Sequence, residues 1–255
     1  MSKLAPTVEP LSQTEEEPPF LSIVIPAYNE ENRLPQALDQ ILLYLATQPY
    51  HAEVLVVENG STDRTAEVVE DFAARFANVR LIRSRERGKG RAIRLGMLEA
   101  RGDNRFLCDA DLSMPISELG KFLSARLNGY DIAIASREAP GARRFGEPAH
   151  RHFMGRVYAL IVKLLALPGY EDTQCGFKLF RHTVVLPLFG AQTMNGWGFD
   201  PELLYIARKR GYRVAEVPID WYYNADSRVR PIWDSLQMVR DLLRIRWNDL
   251  RGRYE

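Results

Sequence analysis

Short apolar runs alternate with longer amphipathic segments over the first half of the chain. The runs are rich in β-branched residues, which is typical of buried strands; they are FLSIVIPAY from Phe20, Glu53–Val57, Val79–Arg83 and Arg105–Cys108. Between them apolar residues recur every three or four positions, which predicts helices at Arg33–Ala46, around Val68–Phe76 and at Arg91–Glu99. This alternation predicts an α/β fold, a doubly wound and mostly parallel sheet with helices on both faces.

The second half of the chain has a looser pattern. It predicts helices at Pro115–Leu127, Phe153–Ala166 and Pro201–Arg210 and strands at Asp131–Ala135, Gly176–Phe180 and Tyr212–Val217. The basic stretch Arg137–His152 contains proline and glycine, so we expect a mobile loop there. From Ile232 to Trp247, apolar residues interleave with three arginines at helical spacing. This segment is predicted to form an amphipathic helix.

Composition divides the chain into three parts. Residues 1–19 combine four prolines with three consecutive glutamates, so we expect a mobile tail. Residues 20–230 are enough for one large core, and residues 231–255 carry the amphipathic helix. The formal net charge of +1 argues against a nucleic-acid partner, and the composition leaves the oligomeric state open.

The cysteine content and the hydropathy of the chain indicate its cellular compartment. Two cysteines, Cys108 and Cys175, exclude a disulfide framework and fit a reducing environment. No basic segment followed by an apolar run begins the chain, and no apolar stretch reaches the roughly 20 residues that cross a bilayer. We therefore expect a cytoplasmic location, with peripheral contact to the cytoplasmic face of a membrane. The amphipathic segment Ile232–Trp247 is the candidate surface, unless it packs on the core instead.

Polar clusters follow the strands of the first half. They are Pro26–Glu30, Glu58–Ser61 and Asp109–Asp111. In open α/β sheets, ligands bind beyond the carboxyl ends of the strands, where strand order switches. These three clusters are therefore the first candidates for a ligand site.

Asp109 and Asp111 stand one residue apart directly after an apolar strand. Two such carboxylates can turn toward one site, where a divalent cation would relieve their repulsion and hold a diphosphate. Hard oxygen ligands favour Mg²⁺ or Mn²⁺ over zinc. Taken alone, the motif is more typical of a loop in which Asp111 caps the helix that begins near Pro115.

A basic stretch surrounds Gly88-Lys89-Gly90. Its glycines would allow a phosphate to approach the backbone, and the following helix points its N-terminus at the same place. Most of the arginines in this stretch are expected to form a solvated face. Lys89 is the candidate phosphate ligand.

Several motifs in order carry a resemblance to a known family. PAYNE, VVENGSTDRT, RERGKGRA and CDADLS follow one another at strand ends, and DTQCGFKLF and GWGFDPELLYIARKRGYRVAEVPIDWYYN come later. Together they resemble the inverting glycosyltransferases of family 2, which have the GT-A fold. The later segments are similar to the dolichyl- and polyprenyl-phosphate hexose synthases, in particular the dolichyl-phosphate β-glucosyltransferase-like branch. The resemblance spans about residues 21–224.

The resemblance implies a donor site and a metal. It implies transfer of a hexose from a nucleotide sugar, UDP-glucose with GDP-mannose as the open alternative, with Mg²⁺ or Mn²⁺ held by Asp109 and Asp111. Some relatives add a Gln ligand where this chain has Ser113. The nucleotide-sugar-binding residues implied are Pro26, Ala27, Tyr28, Glu30, Glu58, Lys89, Asp109, Ala110, Asp111, Ser227 and Arg228.

The resemblance also implies an acceptor site for a polyprenyl or dolichyl phosphate. Arg137 would bind the acceptor phosphate through its planar guanidinium group, and Trp197 would form the floor of the sugar pocket. Asp200 occupies the position where hydroxyl-using relatives place a general base, so Asp200, Arg137 and Asp111 are the catalytic candidates. A phosphate nucleophile is largely dianionic at neutral pH and needs no base, so Asp200 would then organise the site. Asp200 also precedes Pro201, as an ordinary helix cap would.

Three other functions stay open. A family 2 transferase acting on a sugar hydroxyl would use Asp200 as its base. A sugar-phosphate nucleotidyltransferase would carry a glycine-rich loop after the first strand. In this chain that position holds PAYNE, which contains no glycine. A catalytically silent nucleotide-sugar-binding protein would bind UDP without transfer.

Overall fold

A computed structural model describes residues 17–224 and 231–255. The strands are β1 Leu21–Ala27, β2 Ala52–Glu58, β3 Val79–Arg83, β4 Asn104–Leu107, β5 Ile132–Ser136, β6 Arg143–Phe145, β7 Lys178–Arg181, β8 Val214–Pro218 and β9 Asp220–Tyr222. The helices are α1 Leu34–Ala46, α2 Thr65–Arg75, α3 Lys89–Glu99, α4 Leu119–Leu127, α5 Ala149–Leu165, α6 His182–Ala191, α7 Phe199–Lys209 and α8 Pro231–Leu250. Residues 1–16, and with them most of the expected tail, lie outside the described residues, as do Ser227 and Arg228.

The main sheet has the strand order β3-β2-β1-β4-β7-β5-β8 among the described residues. All neighbouring strands are parallel except β7, which runs antiparallel to both β4 and β5. The predicted α/β, doubly wound and mostly parallel sheet is confirmed. Because β7 is reversed, its beginning lies at the edge where β1, β2 and β4 end, and Lys178 pairs with Leu107 in the register. That reversal decides which residues reach the ligand edge.

Two layers of apolar side chains cover the two faces of the sheet. Along β1, Val24 belongs to one layer while Ile23 and Ile25 belong to the other, as the alternation of side chains along a strand requires. Helices α3, α6 and α7 pack on the first face, and α1, α2 and α4 pack on the second. Helix α8 contributes Leu242 and Ile245, both fully buried, to the first layer.

The region predicted as a mobile loop, Arg137–His152, contains regular structure. Strand β6 within it pairs in parallel with β9, and the rings of Phe145 and Tyr222 stack with centroids 4.6 Å apart. Helix α5 begins at Ala149, earlier than predicted. This pairing joins residues more than 70 positions apart, so no local pattern could indicate it. Helix α6 was not predicted either, since it carries Pro187.

In the part of the chain that the structure describes, no helix is both long and apolar enough to cross a membrane.

Candidate active site

A cavity of about 1230 Å³ lies beyond the carboxyl ends of β1, β2 and β4. Ten of the predicted site residues line it: Pro26, Ala27, Tyr28, Glu30, Lys89, Asp109, Ala110, Asp111, Arg137 and Trp197. Glu58 and Asp200 are not among its lining residues. Most of the predicted residues are thus brought together by the sheet edge, as expected for this class of fold.

The loops that follow β1 and β2 are joined by hydrogen bonds. Asn29, with a φ of 51°, donates its backbone N–H to Ser61 Oγ (3.0 Å), and its Oδ1 accepts the N–H of Thr62 (2.8 Å). The N–H of Glu30 donates to Thr65 Oγ1 (2.7 Å). The PAYNE and ENGST motifs therefore form one wall of the cavity, although they are about 30 residues apart in the sequence.

Glu58 lies behind this wall and supports it. It is 8% exposed, and its Oε1 accepts the N–H of Ser61. The next residue, Asn59, lines the cavity. Its Oδ1 accepts the N–H of Gly88 (3.0 Å). The predicted contact of Glu58 with a nucleotide stays a prediction, and in this structure the carboxylate shapes the loop.

Arg87 lies over Tyr28, with the guanidinium carbon 4.1 Å from the ring centre. Both residues line the cavity. Most arginines of this stretch are expected on a solvated face, but Arg87 contacts Tyr28 instead, a partner that the local sequence does not indicate. A stacked guanidinium and phenol ring form a flat surface with a positive charge, which suits a nucleotide base or phosphate.

Lys89 and Asp109 form an ion pair at the floor of the cavity, with Nζ 2.7 Å from Oδ1. Burial lowers the pKa of Lys89, but the carboxylates of Asp109, Asp200 and Asp111 together outweigh it and the net shift is upward. Burial raises the pKa of Asp109, and Lys89 reverses this to a net downward shift. Both groups are therefore charged. The Lys89 ammonium also lies 4.8 Å from the ring centre of Trp197.

The glycines beside Lys89 are required by packing. A Cβ at Gly88, where φ is +146°, would lie 2.5 Å from the carbonyl oxygen of Asn195. A Cβ at Gly90 would lie 2.7 Å from the carbonyl oxygen of Met194. The glycines thus let the Lys89 segment lie against the segment that leads to Trp197. Their expected role in phosphate approach stays a prediction beside this structural one.

Gly176 stands against the other side of Asp109. A Cβ at this position would lie 1.9 Å from Asp109 Oδ2, so only glycine fits beside the carboxylate. Gly176 precedes the reversed strand β7, which explains how it reaches this edge. Its segment, DTQCGFKLF, carries part of the family resemblance, but no local pattern indicates the approach of Gly176 to Asp109.

Behind this floor lies a second ion pair, between Lys178 Nζ and Asp200 Oδ1, 2.6 Å apart. The two side chains are 1% and 6% exposed. Lys178 Nζ also donates to the carbonyl oxygen of Cys175 (2.5 Å), which fixes the turn before Gly176. Burial raises the pKa of Asp200, and Lys178 and Lys89 offset only part of that rise. In the sequence, the signal for this buried pair is Lys178, a single lysine within the apolar run GFKLF.

Glu202, two residues after Asp200, faces a different part of the molecule. It is fully buried and accepts the N–H groups of Thr193 (3.0 Å) and Met194 (2.8 Å) and the hydroxyl of Tyr254 (2.8 Å). Asp200 and Glu202 therefore do not act as a pair. Glu202 anchors the segment before Trp197 to the C-terminal end of the described chain.

The fork of Arg137 is bound to Asp172. Nε donates to Oδ2 (2.6 Å) and Nη2 to Oδ1 (3.0 Å), which is the bidentate arrangement expected for an acceptor phosphate. Burial raises the pKa of Asp172, but Arg137 reverses this and brings it to about 2. Arg137 lines the cavity with the guanidinium carbon 5.4 Å from the ring centre of Trp221. An acceptor phosphate would meet the rest of the guanidinium.

Asp109 and Asp111 fit a hard divalent cation. Asp111 is exposed to the cavity, and its Oδ1 accepts the N–H of Ser113 (3.0 Å) in a tight turn where Leu112 has a φ of 43°. No cluster of three metal-binding His, Cys, Asp or Glu side chains occurs in residues 17–224 or 231–255. Two carboxylates leave coordination positions for water and diphosphate oxygens, as Mg²⁺ and Mn²⁺ sites require. A cation here would share Asp109 with Lys89.

Comparison with known proteins identifies the family and the fold of the chain. The chain is 37% identical over 244 residues to dolichyl-phosphate beta-glucosyltransferase of Drosophila melanogaster, covering 88% of this chain and 74% of the relative. The same protein of Homo sapiens is 35% identical over 247 residues, covering 91% and 76%. A crystal structure of glucosyl-3-phosphoglycerate synthase from Mycobacterium tuberculosis, in complex with Mn²⁺, UDP-glucose and phosphoglyceric acid, has the same fold, with a TM-score of 0.64, 18% identity and coverage of 92% and 80%.

The family model "Glycosyl transferase family 2" matches residues 22–189. These residues hold β1, β2 and β4 with the loops that line the cavity, and they extend through Asp172, Gly176 and Lys178. The chain therefore belongs to glycosyl transferase family 2.

Proposed function

We propose that this protein transfers glucose from UDP-glucose to a polyprenyl phosphate such as dolichyl phosphate, with inversion at the anomeric carbon. The observation that carries the proposal is the cavity that Lys89, Asp109, Asp111 and Arg137 line together, with Lys89 and Asp109 ion-paired. The names of the relatives support the acceptor, and the ligands of the structural neighbour support the donor.

The donor would lie along the wall formed by the loops after β1 and β2. Tyr28, stacked under Arg87, supplies a flat surface for the uracil or ribose. The diphosphate would then reach Lys89, whose ammonium is held at Asp109 and is partly enclosed. A divalent cation held by Asp109 and Asp111 would supply further neutralisation of the diphosphate. Whether it is Mg²⁺ or Mn²⁺ is decided by the assay below.

The reaction forms one bond and breaks one. An oxygen of the acceptor phosphate attacks C1 of glucose, and the bond from C1 to the β-phosphate oxygen breaks on the opposite face. UDP leaves with the bonding electron pair, and Lys89 neutralises the charge that it gains. The second pKa of a phosphate monoester is near 6, so the nucleophile needs no general base at neutral pH. The protein contributes position and charge.

The state of Asp200 supports a phosphate acceptor over a hydroxyl acceptor. A general base must reach the proton that it removes. Asp200 is 5% exposed, does not line the cavity and is paired with Lys178. The hydroxyl-using alternative therefore lacks an accessible base at this position.

The acceptor lipid places the protein at a membrane surface, and we extend the proposal to peripheral binding at the cytoplasmic face. Helix α8 is the surface predicted from the sequence. Its inner side packs Leu242 and Ile245 into the core, while Leu243, Trp247 and Leu250 are exposed. An amphipathic helix of this kind can pack on the core with one side and face a membrane with the other.

The test is incubation with labelled UDP-glucose or GDP-mannose and a short polyprenyl phosphate, with Mg²⁺, with Mn²⁺ or with EDTA. We expect lipid-extractable label from UDP-glucose and its loss in EDTA. Asp111→Asn should abolish the label, and Asp71→Asn, an exposed aspartate on α2, is the control. Binding of UDP without any labelled lipid would contradict the proposal and favour the silent binding protein.

A further inference from the structure

Helix α5 carries an apolar stripe on its outer side. Phe153, Val157, Leu160 and Leu164 are 68, 44, 56 and 75% exposed. Their spacing of four, three and four residues places them on one face, about 16 Å long at 1.5 Å per residue. The opposite face packs on the core through Val162, which is 1% exposed. Such a run of large apolar side chains in water marks an interaction site.

The same helix forms part of the cavity wall. Met154, Gly155, Tyr158 and Ala159 line the cavity, and Met154 is also 41% exposed. Met154 follows Phe153 and lies about 100° further around the helix, between the apolar stripe and the side that lines the cavity. A lipid whose phosphate lies near Arg137 would pass Met154 between the cavity and the stripe, with the lining residues His150 and Arg151 beside it.

Helix α8 packs against α5 and repeats the arrangement. Its exposed residues Leu243, Trp247 and Leu250 have the spacing of one helical face. Exposed arginines flank this face on both sides: Arg240, Arg244, Arg246 and Arg251. The guanidinium carbon of Arg251 lies 4.7 Å from the ring centre of Trp247.

The exposed charges that border the α8 stripe are mainly positive, and those that border the α5 stripe form balanced ion pairs. On α5, Arg156 and Lys163 lie along one edge of the stripe, where they pair with Glu138 and Glu171. On α8, Asp249 is the acidic residue of the last turns, and it already binds Lys209. Apolar side chains bordered by arginine and tryptophan match the boundary between the acyl chains and anionic head groups of a bilayer.

We propose that the outer stripe of α5, together with that of α8, docks on an anionic lipid bilayer with the cavity mouth at the membrane surface. The α5 stripe was not indicated by the sequence analysis, which placed the membrane surface on the C-terminal helix alone. This inference rests on the proposed function for the direction of the acceptor lipid. The docking itself can be measured without turnover.

The experiment is co-sedimentation of the full chain with phosphatidylcholine vesicles, with or without phosphatidylglycerol. We expect the wild-type protein to bind the anionic vesicles. Leu160→Glu with Leu164→Glu should lower vesicle binding about tenfold or more, because two charges would enter the apolar boundary. The matched control is Leu43→Glu with Leu127→Glu, two leucines that are 73 and 81% exposed elsewhere, and it should bind as the wild type does.

A milder variant, Leu160→Ser with Leu164→Ser, should weaken binding without adding charge. Thermal unfolding of each variant checks that the fold is retained. Undiminished vesicle binding by both α5 variants would overturn the proposal, and so would a wild-type protein that ignores anionic vesicles. Light scattering provides a further check, since a dimer that the α5 variants convert to a monomer would assign the stripe to a second copy of the chain.

Activity separates this inference from the proposed function. With a short, water-soluble polyprenyl phosphate, the α5 variants should transfer glucose as the wild type does; with a long acceptor embedded in vesicles, transfer should fall with binding. Vesicle binding through α5 without transfer to either acceptor would refute the proposed function and leave the docking surface in place. Transfer to both acceptors at wild-type rates by the α5 variants would refute the docking surface alone.

Discussion

Lys178 and Asp200 form an ion pair 2.6 Å long beneath the cavity floor, and both side chains are almost fully enclosed. Lys178 also holds the carbonyl oxygen of Cys175, and the next residue, Gly176, lies against the Asp109 carboxylate. The pair is thus two contacts away from Asp109. Its position behind the floor gives Asp200 a supporting role for Asp109.

Removing one partner of this pair should destabilise the protein. We expect Asp200→Asn to lower the free energy of unfolding by about 3 to 5 kcal/mol, because it leaves the Lys178 ammonium buried without a counter-charge. Asp200→Asn with Lys178→Met removes both charges and should recover a large part of that loss. Denaturant unfolding of the single and double variants measures the coupling.

The same double variant tests the mechanism without the complication of a buried charge. It should retain transfer to a polyprenyl phosphate, since that nucleophile needs no general base. A folded double variant without detectable transfer, compared with a folded Lys178→Met single variant that retains it, would favour Asp200 as the base of a hydroxyl-using enzyme, because both variants lose the hydrogen bond from Lys178 to the Cys175 carbonyl.

Gly176→Ala should reduce turnover while the fold is retained. The new Cβ would need the space of Asp109 Oδ2, which lies 1.9 Å from its ideal position. Displacing this carboxylate by about 1 Å should lower kcat/KM on the order of 100-fold. Gly190→Ala on α6 has no atom within 4 Å of the added carbon and serves as the matched control. Equal kinetics for the two variants would exclude a role for the Gly176 contact.

Lys89→Met should lower kcat with a smaller change in the KM for the acceptor. Its ammonium is the cation next to Asp109, and the charge on the departing diphosphate grows only in the transition state. We expect a loss on the order of 100-fold in kcat, as for other preorganised charges. Arg83→Gln is the control because its guanidinium, 60% exposed, pairs with Glu70 at the surface. Steady-state kinetics with UDP-glucose give both constants.

Asp172 should contribute to the acid stability of the protein. Its pKa is about 2 in the folded chain, below the ordinary value of 3.8, so the folded state favours the charged carboxylate. This contribution is complete above pH 4 and is lost as the pH falls through about 2. The shift corresponds to about 2 kcal/mol.

The measurement is the free energy of unfolding between pH 5 and pH 2 for the wild type and for Asp172→Asn. As the pH falls over that range, the wild-type free energy of unfolding should decrease by about 2 kcal/mol relative to that of the variant. Parallel curves would show that the Arg137 pair does not shift this carboxyl group.

The sequence indicated the strands of the first half and the polar clusters that follow them. Ten of the predicted residues line the cavity, because the edge formed by the ends of parallel strands follows from the alternation of strand and helix. The sequence could not reveal that Arg137 binds Asp172 or that Asp200 binds Lys178. These partners are 35 and 22 residues apart, and their contact depends on how the strands are ordered.

The local pattern by itself determined the class of fold, the walls after β1 and β2 and the carboxylates of Asp109 and Asp111, since hydrophobic period and turn residues act over a few positions. Tertiary structure alone decided the reversed direction of β7, which brings Gly176 to Asp109. It also decided which side of α5 stays uncovered, since an amphipathic pattern does not say which elements will pack against it. Contacts between distant segments follow from topology, and topology is a property of the whole chain.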